Sequence, residues 1–123
     1  MKKKVKRVVI VDDNEDLVAK LSKAAKSTGH EVLDIFVKHD DDLSALAEKI
    51  KNFHPNIVFL DHDLNRFETG QALAKLIGFP SKMLVGTSTA FRQDYCGKTF
   101  DGKDYEHENG LEAKNFLKMI KQS

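Results

Sequence analysis

Residues 57–64 read Ile-Val-Phe-Leu-Asp-His-Asp-Leu, an apolar run that meets acid, imidazole and acid. An unbroken apolar run of this length, with Pro55 just before it, predicts a strand over Ile57 to Leu60 that is covered on both faces. A carboxylate left buried at the end of such a strand is costly unless something neutralises it. Asp61 therefore either opens a solvated loop or sits where chemistry requires it. Strand periodicity would turn Asp61 and Asp63 to one side and His62 to the other.

Apolar runs and helical periods alternate on both sides of this stretch. Upstream, residues 5–11 predict a valine-rich first strand. Leu17, Leu21 and Ala24/Ala25 share a helical face over 15–28, which Gly29 closes as a C′ residue. Val32 to Val37 predict a second strand. Asp41 or Asp42 caps a helix carrying Leu43, Leu46, Ile50 and Phe53, and Pro55 separates it from the third strand. Downstream, residues 70–77 predict a short helix with Leu73, Leu76 and Ile77, closed by Gly78 and Pro80. Met83 to Val85 begin a fourth strand that runs into Gly86-Thr87-Ser88-Thr89. Leu111, Ala113, Phe116, Leu117 and Ile120 have helical spacing over 110–121. Strands that alternate with helices, the strands continuously apolar, predict an α/β fold with a parallel sheet covered on both faces.

Composition narrows the function. At 123 residues the chain is expected to form one domain, 1–123, and it has no repeat, linker or low-complexity tract. A hydrophobic fraction of 41% and a charged fraction of 32% suit a globular protein. Twenty basic against nineteen acidic residues give a net charge of +1, which argues against nucleic-acid binding. After the basic start, the apolar run ends at Val11 and Asp12-Asp13 follow at once, too soon for a signal peptide. No segment has the about 20 apolar residues of a membrane span. The lone Cys96 cannot form an internal disulfide, consistent with a reducing cytoplasm, and reads as a small buried hydrophobe.

In open parallel sheets the functional crevice lies beyond the carboxyl ends of the strands. Here the first strand ends in Asp12-Asp13 and the third in Asp61. If these strands are neighbours, three carboxylates converge, and each raises the others' pKa unless a cation intervenes. Mg²⁺ is the natural candidate, since it prefers hard oxygen ligands. The bland alternative is helix capping by Asp13 or Asn14 and a polar loop at Asp61. Thr87-Ser88-Thr89 place hydroxyls at a third strand end, suited to bonding an anion held at Asp61 or merely forming a polar turn.

These residues resemble the receiver domain of bacterial two-component response regulators. Val8-Val9-Ile10-Val11-Asp12-Asp13-Asn14 is similar to the family's first strand and acidic pair, and Ile57 to Asp61 to its phosphoacceptor strand. Gly70 is similar to the glycine opening the third helix, Met83-Leu84-Val85-Gly86-Thr87 to the fourth strand with its switch hydroxyl. Tyr95-Cys96-Gly97-Lys98-Thr99-Phe100 is similar to its tyrosine and lysine region. The resemblance implies a flavodoxin-like five-stranded sheet of order 2-1-3-4-5, and the chain is expected to be a stand-alone receiver with no output domain. It implies that Asp61 takes a phosphoryl group from a histidine kinase or phosphotransfer protein. Mg²⁺ would be held by Asp13 and Asp61, by Asp12 mainly through water, and by the backbone carbonyl of Asp63. Thr87 and Lys98 would bond phosphoryl oxygens, Tyr95 would turn inward with Thr87, and an unknown downstream protein would bind the result.

Two departures qualify it. The segment after Asp61 lacks the proline common there and is longer. Only Ser88 to Asp94 separate Thr87 from Tyr95, whereas a helical crossover needs about a dozen residues, so the crossover helix is expected to be short or missing. Lys103 is then the alternative to Lys98, and Glu106-His107-Glu108 read as a solvated loop. Two further functions stay open: a pseudo-receiver that binds partners without phosphorylation, and a haloacid-dehalogenase-type phosphatase suggested by Asp61-His62-Asp63. The latter motif normally opens the chain, whereas here it falls on the third strand.

Overall fold

The sheet is built outward from β1 (Arg7–Asp12), in which Val8 to Val11 have no accessible surface. The computed structural model describes residues 5–38, 42–61, 69–87, 98–99 and 111–123. β1 pairs in parallel with β2 (Glu31–Phe36) on one side and with β3 (Ile57–Leu60) on the other. β4 (Leu84–Gly86) and β5 (Lys98–Thr99) complete a five-stranded sheet of order β2-β1-β3-β4-β5. This is the parallel, flavodoxin-like order expected. The register is continuous, so that Ile35, Val11, Leu60, Gly86 and Thr99 lie on one rung.

Alternate residues of the central strands feed two cores. Val9, Val11, Val58, Leu60 and Leu84 pack beneath α2 (Leu43–Phe53) and α3 (Thr69–Ile77), against Ala47, Ile50, Leu73 and Ile77. Val8, Ile10, Ile57, Phe59 and Val85 pack on the other face beneath α1 (Glu15–Ser27) and α4 (Leu111–Gln122), against Leu17, Val18, Leu21, Phe116 and Ile120. Phe59 and Phe116 tilt against each other with ring centroids 4.6 Å apart. Each such buried side chain contributes roughly 1.5–3 kcal/mol. With apolar residues needed on both faces, the strands have no polar alternation, which is why 57–60 is wholly apolar.

The helix ends follow local chemistry. Asn14 caps α1 by accepting from Leu17 N–H at 3.2 Å, and Gly29 (φ +90°) takes the left-handed turn after the C-cap Thr28. Asp42, not Asp41, caps α2 through Ser44 N–H at 2.9 Å. Two details differ from the sequence reading. Met83 belongs to a 3₁₀ turn (Ser81–Met83), its N–H bonded to Pro80 O, so β4 starts one residue later. Leu76 is 42% exposed, because Leu73, Ala74 and Ile77 already fill the face of α3 toward the sheet. No helix among the described residues is long and apolar enough to cross a membrane.

Candidate functional site

Backbone pairing carries the sheet one residue past its apolar rungs. Asp61 N–H donates to Val11 O at 3.1 Å and Thr87 N–H donates to Leu60 O at 3.1 Å. Val37 N–H donates to Asp12 O at 2.9 Å. Asp12, Asp61 and Thr87 thereby emerge side by side at the carboxyl ends of β1, β3 and β4. Asp13 follows Asp12 at once. One carboxylate oxygen from each of Asp12, Asp13 and Asp61 lies within 4.8 Å of the others. The condition set by the sequence, that the first and third strands be neighbours, is met.

Capping and convergence are both present. Asn14 fills the cap of α1, which leaves Asp13 to the cluster. Asn14 also donates its own N–H to Asp12 Oδ1 at 3.0 Å. Asp12 is only 4% exposed and Thr87 only 6%. Burial, above all, pushes the Asp12 carboxyl up from the ordinary 3.8 to about 7. The charge of Asp61 adds to this, the Asn14 N–H opposes it, and Asp13 raises it further. A trio of mutually repelling hard oxygen donors, Asp12 buried and Asp13 and Asp61 half-buried, is suited to a divalent cation, which would supply the missing positive charge.

Thr87 stands at the end of β4 beside the carboxylates. Its Oγ1 donates to Asp12 Oδ2 at 3.3 Å, so in this state the hydroxyl serves the first-strand carboxylate. Nothing in the sequence distinguishes Asp12 from Asp61 as its acceptor. The backbone of Lys98 lies in β5 opposite Val85, one rung below Gly86 and two below Thr87. Asp63, His62, Tyr95, Cys96, Lys103 and Glu106-His107-Glu108 lie outside the described residues, as do Ser88, Thr89 and the crossover between β4 and β5.

One polar pair was not anticipated. Ser22, on the inner face of α1, donates from Oγ to Asp34 Oδ2 at 2.9 Å, and Lys26 Nζ approaches the same oxygen at 3.9 Å. The pair ties α1 to the edge strand β2. The signal available in the sequence was a serine interrupting an apolar helical stripe.

No protein-family model matches the chain, nor does any curated protein. Solved structures do. The response regulator protein TrrA from Thermotoga maritima, in complex with Mg²⁺-BeF, is 17% identical with a TM-score of 0.68, covering 94% of this chain and 99% of that one. The N-terminal domain of a response regulator/sensory box/GGDEF protein from Carboxydothermus hydrogenoformans is 15% identical, with a TM-score of 0.67 and coverage of 95% and 94%. A CheY-like response regulator receiver domain protein from Methanospirillum hungatei is 17% identical, with a TM-score of 0.59 and coverage of 98% and 100%. At these identities the likeness is one of fold. The chain has the fold of response regulator receiver domains, with an acidic cluster at the carboxyl ends of its central strands.

Proposed function

We propose that this chain is a phosphoacceptor receiver of two-component signalling. Asp61 is the phosphorylated residue, Mg²⁺ is the cofactor, and residues 1–123 act as a single domain. The observation that carries the proposal is the convergence of Asp12, Asp13 and Asp61 within 4.8 Å at the ends of adjacent strands. In a receiver fold, that is where phosphoryl transfer needs its charges.

A carboxylate oxygen of Asp61 attacks the phosphorus of a phosphohistidine on a histidine kinase or phosphotransfer protein. The phosphorus–oxygen bond forms, the phosphorus–nitrogen bond breaks, and the departing imidazole nitrogen takes a proton from solvent. Asp12, Asp13 and Asp61, with the backbone carbonyl of Asp63, are the residues that would hold the ion. Bound there, Mg²⁺ offsets the negative charge on the transferring oxygens, which is most of what such a transfer requires. Thr87 donates its hydroxyl to one phosphoryl oxygen and Lys98 its ammonium to another. Tyr95 follows Thr87 inward, and the altered surface binds a downstream protein in the cytoplasm. The domain catalyses only its own modification and its reversal.

Acetyl phosphate with and without Mg²⁺, read by intact-protein mass, tests the proposal. One Mg²⁺-dependent phosphoryl adduct, lost in Asp61→Asn, is expected. No adduct under any condition would sink phosphoacceptor function and leave the fold as a binding module.

A further inference from the structure

The proposed chemistry makes two demands on one proton. Thr87 has a single hydroxyl donor, and in this structure it is directed to Asp12 Oδ2. The same hydroxyl cannot bond a phosphoryl oxygen on Asp61 until it has left Asp12. Resting on the site reading above, we infer that the Asp12–Thr87 bond is a latch. A divalent cation bound by the three carboxylates releases the Thr87 hydroxyl before any phosphoryl group arrives.

Local geometry supports such an exchange. At 3.3 Å the bond is long for a hydroxyl on a carboxylate, where about 2.5–2.7 Å is usual, so little has to be broken. Asp12 Oδ1 accepts from Asn14 N–H and Oδ2 from the Thr87 hydroxyl, so an ion drawing on this carboxylate weakens a contact already in place. The Thr87 backbone is fixed by its bond to Leu60 O, so rotation about the side chain alone moves the hydroxyl while β4 stays in place. A cation on Asp12 withdraws charge from the acceptor and weakens the bond further. Coupling is reciprocal: whatever the ion takes from the hydrogen bond, the hydrogen bond takes from ion affinity. In the unmodified protein Thr87 therefore lowers affinity for the metal that its own later role requires.

The test titrates Mg²⁺ alone into wild type, Thr87→Val and Thr87→Ser at about pH 8.5, above the titration of Asp12. Amide and threonine-methyl NMR report the binding, and no phosphoryl donor is present. Valine keeps the shape without the donor, whereas serine keeps the donor. Thr87→Val is expected to bind Mg²⁺ about three- to tenfold more tightly than wild type, the range set by one such hydrogen bond. Thr87→Ser should stay within about twofold of wild type by the same reasoning. In wild type, the Thr87 methyl resonance should move in step with Mg²⁺ saturation. An unmoved methyl while the Asp13 and Asp61 amides respond, or unchanged or weaker binding by Thr87→Val, would overturn the latch and leave the metal site intact. No Mg²⁺ response in wild type would overturn both.

Discussion

Replacing Asp12 by Asn should stabilise the metal-free protein, and its pH dependence is what separates this cause from others. Asp12 is 4% exposed, and its carboxyl is raised from 3.8 to about 7. The folded state therefore prefers the protonated form. Ionisation costs nothing below about pH 4, and the cost grows as pH rises toward 7 and is complete above it. At 1.36 kcal/mol for each pH unit between the two values, the full cost is about 4 kcal/mol. That is a large share of a typical 5–15 kcal/mol domain stability. Asparagine keeps an acceptor for Asn14 N–H, and its amide faces the Thr87 hydroxyl, so the new side chain is not left unpaired. We expect Asp12→Asn to gain about 2–4 kcal/mol over wild type at pH 8 in EDTA, some of the full relief being spent on burying the amide. The gain should shrink through pH 5–6 and vanish near pH 4. Urea unfolding at these pH values measures it. Added Mg²⁺ should restore wild type at pH 8 while leaving the variant nearly unchanged. A pH-independent difference between the two proteins, or a loss of stability at pH 8, would refute the electrostatic reasoning.

Further predictions test the frame around the site. Phe116→Ala removes a fully buried ring tilted against Phe59 and should cost about 3–5 kcal/mol in chemical denaturation. Asn14→Ala should cost about 1 kcal/mol from the lost cap. Because Asn14 N–H is a backbone donor to Asp12, the same variant should leave Mg²⁺ binding almost untouched in a calorimetric titration. Gly29→Ala should cost about 1 kcal/mol by thermal melting from its φ of +90° alone, since an added Cβ meets nothing within 4 Å.

Much of this arrangement was legible before any coordinates. Continuous apolar runs at 8–11 and 57–60 announce strands buried on both faces, and an acid directly after such a run can only sit at a sheet end. The β3 limits were read to the residue because Pro55 and Asp61 bracket them. What was not legible depends on distant neighbours. Asp12 and Asp61 are 49 positions apart in the sequence, and only the parallel pairing of Val11 with Leu60 brings them together. The hydroxyl of Thr87 was read only as a donor to an anion at Asp61 or as part of a polar turn, and its bond to Asp12, set by the strand ladder, was not anticipated. Among the described residues β5 is Lys98–Thr99, and Tyr95-Cys96-Gly97 offers no apolar run to announce it. The Ser22 bond was not anticipated, because its acceptor, Asp34, lies on the following strand.

Mn²⁺ titration followed by paramagnetic broadening of amide NMR signals probes the shared ion most directly. If one divalent cation joins the ends of β1 and β3, the amides of Asp13, Asp61 and Thr87 should broaden first and together, at one ion per chain, and sharpen again with excess Mg²⁺. Asp13→Asn and Asp61→Asn should each weaken the effect at both strand ends at once. Broadening that starts elsewhere, or that survives at one strand end when the other end's carboxylate is removed, would contradict a common site.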